Sequence, residues 1–451
     1  MSSVRRVVVV GGGIAGLVAA RALTASGREV VVLEGSPRIG GKLRTESVGG
    51  VAVDVGAESM LARRPEGTDL ARELGLDVVH PATTTAAIWT RDALRPLPRS
   101  VMGVPADAVE VERAGLLTDA GLDRLRHEEP VAAVAEGEDV SVCDLVAARL
   151  GSEVVDRLVE PLLGGVYAGH AGLLSARATV PQLVAWSGRS LVDSAAEALA
   201  ASTGAPVFAG IPGGLGTLPD AVAAGLEVRT GATVRVLRRT PSGFALVVGP
   251  TTAADEVEAD EVVLATPGAP TARLLAGIAP AAAAELAAVE YASMAIVTLA
   301  FRTEDVAGLE GSGFLVPPVE GRVIKASTFS FNKWDWVRAT GDGLLLLRTS
   351  IGRHREESVL QVPDDELVAA SLGDLRAATG VGAAPVDSHV QRWGGALPQY
   401  AVGHLDRVAR IRAAVAAVPG LAVCGAAYDG VGIPAVIASA RRAAATLTRA
   451  E

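Results

Sequence analysis

The hydrophobic pattern along the chain alternates between short unbroken apolar runs and longer stretches with helical spacing. Val7-Val8-Val9-Val10 is apolar at every position and short, which predicts a strand buried on both faces. Leu17 to Ser26 is alanine-rich and predicts a helix ended by Gly27, and Val30 to Leu33 predicts a second strand closed by Glu34. Gly49 to Ser59 alternates like a short strand running into a glycine turn. Residues 81–105 carry many prolines and read as loops and strand edges. From 106 to about 200 the pattern becomes helical, with helices predicted over Ser141–Leu150 and Ser152–Leu163. Strand character returns near Ala205, followed by a helix over Thr217–Ala224 and strands at Glu227–Arg229, Thr233–Leu237, Phe244–Val248 and Glu261–Ala265. Further strands are predicted over Ala295–Phe301 and Gly343–Ser350, with a helix over Asp364–Thr379 between later loops. Leu421 to Ala426 is one more buried strand, and after Gly430-Val431-Gly432-Ile433-Pro434 a long helix runs to the end. A strand, glycine turn and helix at each end predict that both termini build one nucleotide domain, with the rest inserted between them.

The first turn carries the chemistry. Gly11, Gly13 and Gly16 fit G-x-G-x-x-G. The first glycine allows the tight turn, the second lets backbone approach a pyrophosphate, and the third lets helix and strand pack closely. The helix N-terminus offers unpaired N–H groups to an anion. Glu34 stands roughly 20 residues on, where a carboxylate takes ribose hydroxyls. Strand, helix, strand and acid together predict a dinucleotide site.

Composition narrows the surroundings. A net charge of −10 without a basic stripe argues against a nucleic-acid partner. The mean hydropathy of +0.36 comes from alanine and valine spread along the chain, and no unbroken 18-residue apolar stretch is present, so no transmembrane segment is expected. The first strand begins almost at once, leaving no room for a signal peptide. Cys143 and Cys424 are far apart and fit buried thiols in a reduced, cytoplasmic protein. Lysine occurs only at Lys42, Lys325 and Lys333, a usage that carries no mechanistic message by itself. The six histidines are scattered. No Ser–His–acid set or metal cluster stands out; His170 and His404 are weak candidates for a base.

Arg38-Ile39-Gly40-Gly41 follows the ribose acid, and a plain NAD domain has no need of two glycines there. With Asp54 to Ser59, Glu160-Pro161-Leu162-Leu163-Gly164-Gly165-Val166-Tyr167-Ala168-Gly169 and Cys424 to Pro434, this chain resembles the protoporphyrinogen/coproporphyrinogen oxidases, a branch of the amine-oxidase-like FAD enzymes. It most resembles the soluble Gram-positive coproporphyrinogen III oxidases. The resemblance implies an α/β fold: a Rossmann-like FAD-binding domain of the amine oxidase and glutathione reductase type, an inserted α+β substrate domain, and a mainly helical insert. On that reading residues 1–78, 206–272 and 408–451 form the FAD domain. Residues 79–105 and 273–407 form the substrate domain, and 106–205 the helical insert.

The resemblance further implies non-covalent FAD and a six-electron oxidation of a porphyrinogen in haem biosynthesis, with oxygen reduced to hydrogen peroxide. The redox chemistry then belongs to the isoalloxazine, and no catalytic side chain is assigned. Carried over residue by residue, Gly11, Gly12, Gly13, Ile14, Ala15 and Gly16 cradle the diphosphate, and Glu34 with Gly35 meets the adenosine ribose. Lys42 is placed to pair with phosphate, against the reading of a solvated lysine. Gly56, Ala57, Glu58 and Ser59 pass beside the flavin, and Val234 meets adenine through its backbone. Trp393 matches a position near the flavin, against that of a plain core tryptophan. Val431, Gly432 and Ile433 open the last helix toward the flavin pyrimidine. Ala426 stands where the superfamily usually has aspartate, so that ribityl contact must come from elsewhere.

Arg63 and Arg64 are the nearest sequence candidates for substrate propionates, against a solvated surface pair. The insert lacks a basic face with Trp or Phe anchors, which favours the four-propionate substrate of a soluble enzyme over protoporphyrinogen. Rival readings are a protoporphyrinogen oxidase, an amine oxidase or carotenoid desaturase, and a non-catalytic escort protein of the same fold. The low aromatic content of 3% disfavours the aromatic cage of an amine oxidase.

Overall fold

The computed structural model describes residues 4–129, 131–306 and 308–449. The ends of the expected FAD domain at 1–3 and 450–451 lie outside the described residues. The apolar runs build a five-stranded parallel sheet in the order Glu227–Arg229, Glu29–Leu33, Arg6–Val10, Glu261–Leu264, Leu421–Val423. Val7, Val8 and Val9 are wholly buried because both faces of the sheet are covered. On one face lie the helices Ile14–Ala25 and Ile433–Thr448, where Leu17, Ala19, Ala20, Ile437, Ala440 and Ala444 share a core. Alanine on both facing stripes lets the two helix backbones approach closely. The other face carries the antiparallel strands Val234–Thr240, Gly243–Val248 and Asp255–Ala259, with the helices Gly268–Leu275, Pro280–Ala287 and His404–Ala416.

A seven-stranded mixed sheet runs Asp387–Pro398, Tyr291–Arg302, Leu344–Ile351, Ile324–Thr328, Gly313–Leu315, Ala87–Thr90, Ala93–Pro96. Leu367 and Leu375 of the helix Asp364–Thr379 pack into its core. The helices between Ala108 and Ala200 have a core of their own, including Val146, Leu158, Leu163 and Leu183. Their member Glu160–Tyr167 packs against the sheet strands Gly313–Leu315 and Ile324–Thr328. The hairpin Thr45–Val48/Val51–Asp54 packs on the mixed sheet, with Val48, Val51 and Val53 against Ala300, Trp334 and Leu346. Among the described residues no helix is long and apolar enough to cross a membrane.

Three local features differ from the sequence reading. The first helix starts at Ile14, because Gly13 caps it in an extended conformation. The expected helix from Ser152 is interrupted by a π-helical turn at Val155–Val159 and then continues to Tyr167. Pro161 has no N–H to give to the preceding turn, and a π turn accommodates that loss. Asp255–Ala259 is an edge strand that was not anticipated; its Asp and Glu residues are poor strand formers, and only Val257 and Ala259 are buried.

Candidate active site

The dinucleotide cradle is built at the carboxyl ends of the parallel strands. Gly12 donates its backbone N–H to Glu34 Oε2 at 2.6 Å, and Ser36 donates to Oε1 at 2.7 Å, so the carboxylate is held beside the glycine turn. Gly11 has φ +111°, and a Cβ there would crowd the Ala265 carbonyl at 3.0 Å. A Cβ on Gly16 would sit 1.8 Å from the Gly11 carbonyl oxygen, which excludes any side chain at this crossing of helix and strand. Gly13 is different: a Cβ there meets nothing within 4 Å, so the turn opens onto free space at the helix N-terminus. Gly40 donates to the Gly12 carbonyl at 2.8 Å, which lays the double glycine of the Arg38–Gly41 loop along the same opening.

Lys42 leaves that loop, and among the described residues its ammonium has no hydrogen-bond or ion-pair partner. Burial pushes it down to about 8. Open space at Gly13, unpaired N–H groups and an unpaired lysine fit a bound diphosphate.

Next along the groove, a Cβ on Gly56 would lie 2.1 Å from the Lys42 carbonyl oxygen. Trp393 donates its indole N–H to the Val55 carbonyl at 2.9 Å, and the Arg38 guanidinium lies 5.9 Å from its ring. The structure thus brings Arg38, Lys42, Gly56 and Trp393 to one place. Glu58 belongs to a different contact. Its carboxylate accepts from Ser330 Oγ at 2.6 Å and pairs with Lys333 at 3.1 Å and Arg348 at 2.9 Å. Burial alone would raise this carboxyl, but the two cations outweigh it and bring it down to about 2. Arg348 also donates to the Asp54 and Gly56 carbonyls at 2.6 and 3.1 Å. The seven-stranded sheet therefore fixes the backbone of residues 54–58. Asp54, itself pushed up to about 6 mainly by burial, accepts from Thr45 and from the Leu215 N–H.

The groove ends at residues 425–433. Gly425 donates to Ser439 Oγ at 3.3 Å, and Cys424 is buried with its thiol toward the Ala15 carbonyl. The Tyr400 hydroxyl donates to the Ala426 carbonyl at 2.5 Å and accepts from the Gly430 N–H at 2.8 Å. Tyr400 stacks on His404, whose proton affinity burial lowers to about 4. Val431 and Gly432 are half-buried at the start of the last helix, and Ile433 is buried.

Val234 lies beside Glu34, where Ala232 donates to the Glu34 carbonyl at 2.8 Å and Thr233 packs on Gly35. Arg63 and Arg64 are exposed, and Arg64 is engaged with Glu66 at 2.8 Å. Sequence reasoning missed Arg348, Lys333 and Tyr400. One signal for Lys333 was present: this arginine-rich chain keeps only three lysines. None of them is exposed.

A parallel sheet with this cradle, an interposed second sheet and a helical insert defines a flavoprotein oxidoreductase architecture. The chain belongs to the flavin containing amine oxidoreductase family, whose pattern matches residues 14–448, and its cofactor is a flavin. It is 40% identical over 457 residues to the coproporphyrinogen III oxidase of Mycobacterium tuberculosis, covering 98% of this chain and 97% of that one. It is 31% identical to the coproporphyrinogen III oxidase of Bacillus subtilis, covering 95% of each. Among solved structures, a provisionally named protoporphyrinogen oxidase from Exiguobacterium superposes with a TM-score of 0.89 at 31% identity, over 100% of both chains.

Proposed function

We propose that this protein binds FAD non-covalently and oxidises coproporphyrinogen III to coproporphyrin III, with molecular oxygen as the acceptor. The observation that carries this reading is the 40% identity over nearly the whole length to a coproporphyrinogen III oxidase. FAD, when bound, supplies two-electron acceptance of hydrogen from carbon. Removing six hydrogens from one porphyrinogen therefore takes three turnovers and reduces three oxygen molecules to hydrogen peroxide.

The chain's own residues bind and orient. The N–H groups of Gly13 to Gly16 and the Lys42 ammonium meet the diphosphate, while the Gly12 N–H stays with Glu34, which meets the ribose beside Gly35. Val234 supports the adenine through its backbone. Gly56 to Ser59 supply backbone along the flavin, held rigid by Arg348 and Lys333 through Glu58. Trp393 walls the same stretch. The N–H groups of Val431, Gly432 and Ile433 stabilise negative charge at the pyrimidine side. Non-covalent binding is supported by Cys424, which is buried beneath the cradle and whose thiol burial pushes up to about 12, far from a reactive thiolate. We place the protein in the cytoplasm and the helical insert over the substrate face of the mixed sheet, and keep the exposed Arg63 and Arg64, just before the helix Pro65–Glu73, as candidates for the propionates.

Anaerobic mixing of the purified yellow protein with coproporphyrinogen III tests this reading. Flavin absorbance should bleach as porphyrin fluorescence rises, and acid precipitation should release FAD into the supernatant. Protein that stays colourless after reconstitution with FAD would point to the escort reading, and faster turnover of protoporphyrinogen would move the substrate assignment.

A further inference from the structure

Two of the three lysines have roles above: Lys333 pairs with Glu58, and Lys42 faces the cradle. Lys325 has none. It is 4% exposed, on the strand Ile324–Thr328, at an irregularity in the pairing with Leu344–Ile351 between Ile324 and Ala326. Its ammonium donates to the Gly352 carbonyl at 2.9 Å, and among the described residues no carboxylate pairs with it. Beside it Arg353 is 6% exposed, donates to the Val316 carbonyl at 3.2 Å, and meets the half-exposed Glu356 only at 3.8 Å. Burial, with Arg353 adding to it, pushes the Lys325 ammonium down to about 7. Two adjacent cations under cover, with only the offset Glu356 and the partly buried Glu160 as counter-charge, are unfavourable for the empty protein.

The same seam contains room. The helix Glu160–Tyr167 packs over this strand, and His354 donates to the Ala168 carbonyl at its end at 2.7 Å. Gly164 is buried, yet a Cβ there would meet nothing within 4 Å. A Cβ on Gly165 would touch only Leu315, at 3.9 Å. Leu315 is the register partner of Ala326, next to Lys325, and Arg353 reaches the carbonyl of Val316 beside it. A slot, open to solvent at the exposed Gly165 and bordered by the buried Gly164, therefore runs along the helix that packs over the Lys325 strand.

We propose that Lys325 and Arg353 form a carboxylate subsite, which grips a propionate-type side chain of a tetrapyrrole whose ring enters the slot beside Gly164 and Gly165. The inference rests on the porphyrinogen reading above and deepens it. A carboxylate arriving here adds counter-charge at hydrogen-bonding distance, and the ammonium and guanidinium both donate to it.

Binding of coproporphyrin III, followed by fluorescence, tests the pair on the FAD-loaded protein in wild type, Lys325→Met, Lys325→Arg and Arg353→Met. The methionine variants should each weaken binding about tenfold or more, the loss of a charge-assisted hydrogen bond, while the Lys325→Arg variant stays within about threefold of wild type. KM for coproporphyrinogen III should rise in step, with flavin content unchanged, and coproporphyrin tetramethyl ester should bind all forms alike. Methionine variants that bind the free acid as wild type does would overturn the subsite. So would a Lys325→Arg variant as impaired as Lys325→Met, or equal losses with the ester, since both mean packing rather than charge. A wild type that oxidises neither porphyrinogen defeats the function proposed above; a wild type that turns over normally beside unaffected variants defeats only the subsite.

Discussion

Glu34 and Gly12 are joined by a 2.6 Å hydrogen bond from backbone N–H to carboxylate, so the acid that closes the second strand also holds the glycine turn. Its other oxygen takes the Ser36 N–H. The side chain is thus fixed before any ribose arrives.

Replacing Glu34 by alanine removes both the turn's brace and the proposed ribose acceptor. FAD affinity should fall about tenfold to a hundredfold, in the range of one or two charge-assisted hydrogen bonds. Titration of apoprotein with FAD, followed by quenching of flavin fluorescence, measures this.

Lys42 gives a pH signature. Its ammonium titrates near 8 rather than 10.5 in the empty protein, because burial disfavours the charge. A diphosphate prefers the charged form, so binding takes up a proton above pH 8. FAD affinity should therefore be flat below about pH 8 and decline above it. The Lys42→Met variant should bind more weakly and lose this slope, both read from FAD titrations across the pH range.

The clamp at Glu58 predicts acid sensitivity. Its carboxyl sits at about 2 when folded against 4.5 ordinarily, so its contribution is full above pH 4.5 and fades as pH falls toward 2. In Glu58→Gln the buried Arg348 and the half-buried Lys333 lose their counter-charge, a change of about 3–5 kcal/mol. Thermal melts should show a lower Tm at pH 7 and a shallower loss of Tm on acidification than in wild type.

Tyr400 bridges two backbone groups of the loop before the last helix. Tyr400→Phe should cost about 1–3 kcal/mol by leaving the Gly430 N–H and the Ala426 carbonyl without their partner. With the flavin placed against that loop as proposed, a shifted flavin absorption envelope and weaker FAD binding should accompany the lower Tm, and the spectrum of the reconstituted variant would reveal it.

Much of the framework could be read from the chain because buried parallel strands are written as short apolar runs. Val7–Val10, Glu261–Leu264 and Leu421–Val423 show this, and the fingerprint glycines carry their own steric reason. The helix Asp364–Thr379 appears with the bounds its pattern predicts. Other features depend on contacts that no local pattern encodes. Arg348 reaches the Gly56 carbonyl across 292 positions of sequence, and Tyr400 reaches Gly430 across 30. Neither residue differs from a structural Arg or Tyr until the fold brings its partner near. Glu58 was read as a cofactor neighbour, yet its carboxylate is committed to Ser330, Lys333 and Arg348, so any flavin contact there falls to backbone. Lysine scarcity was visible from the start, but its meaning needed burial.

The strand Glu261–Leu264 lies between Arg6–Val10 and Leu421–Val423, one from each end of the chain. During synthesis the nascent protein can therefore assemble its insert and mixed sheet while the nucleotide sheet still lacks its outer strand and its covering helix. Only when the segment through Thr448 has left the ribosome can the cradle close. Removing the helix Ile433–Thr448 therefore uncovers one face of the nucleotide sheet and leaves the cradle unclosed.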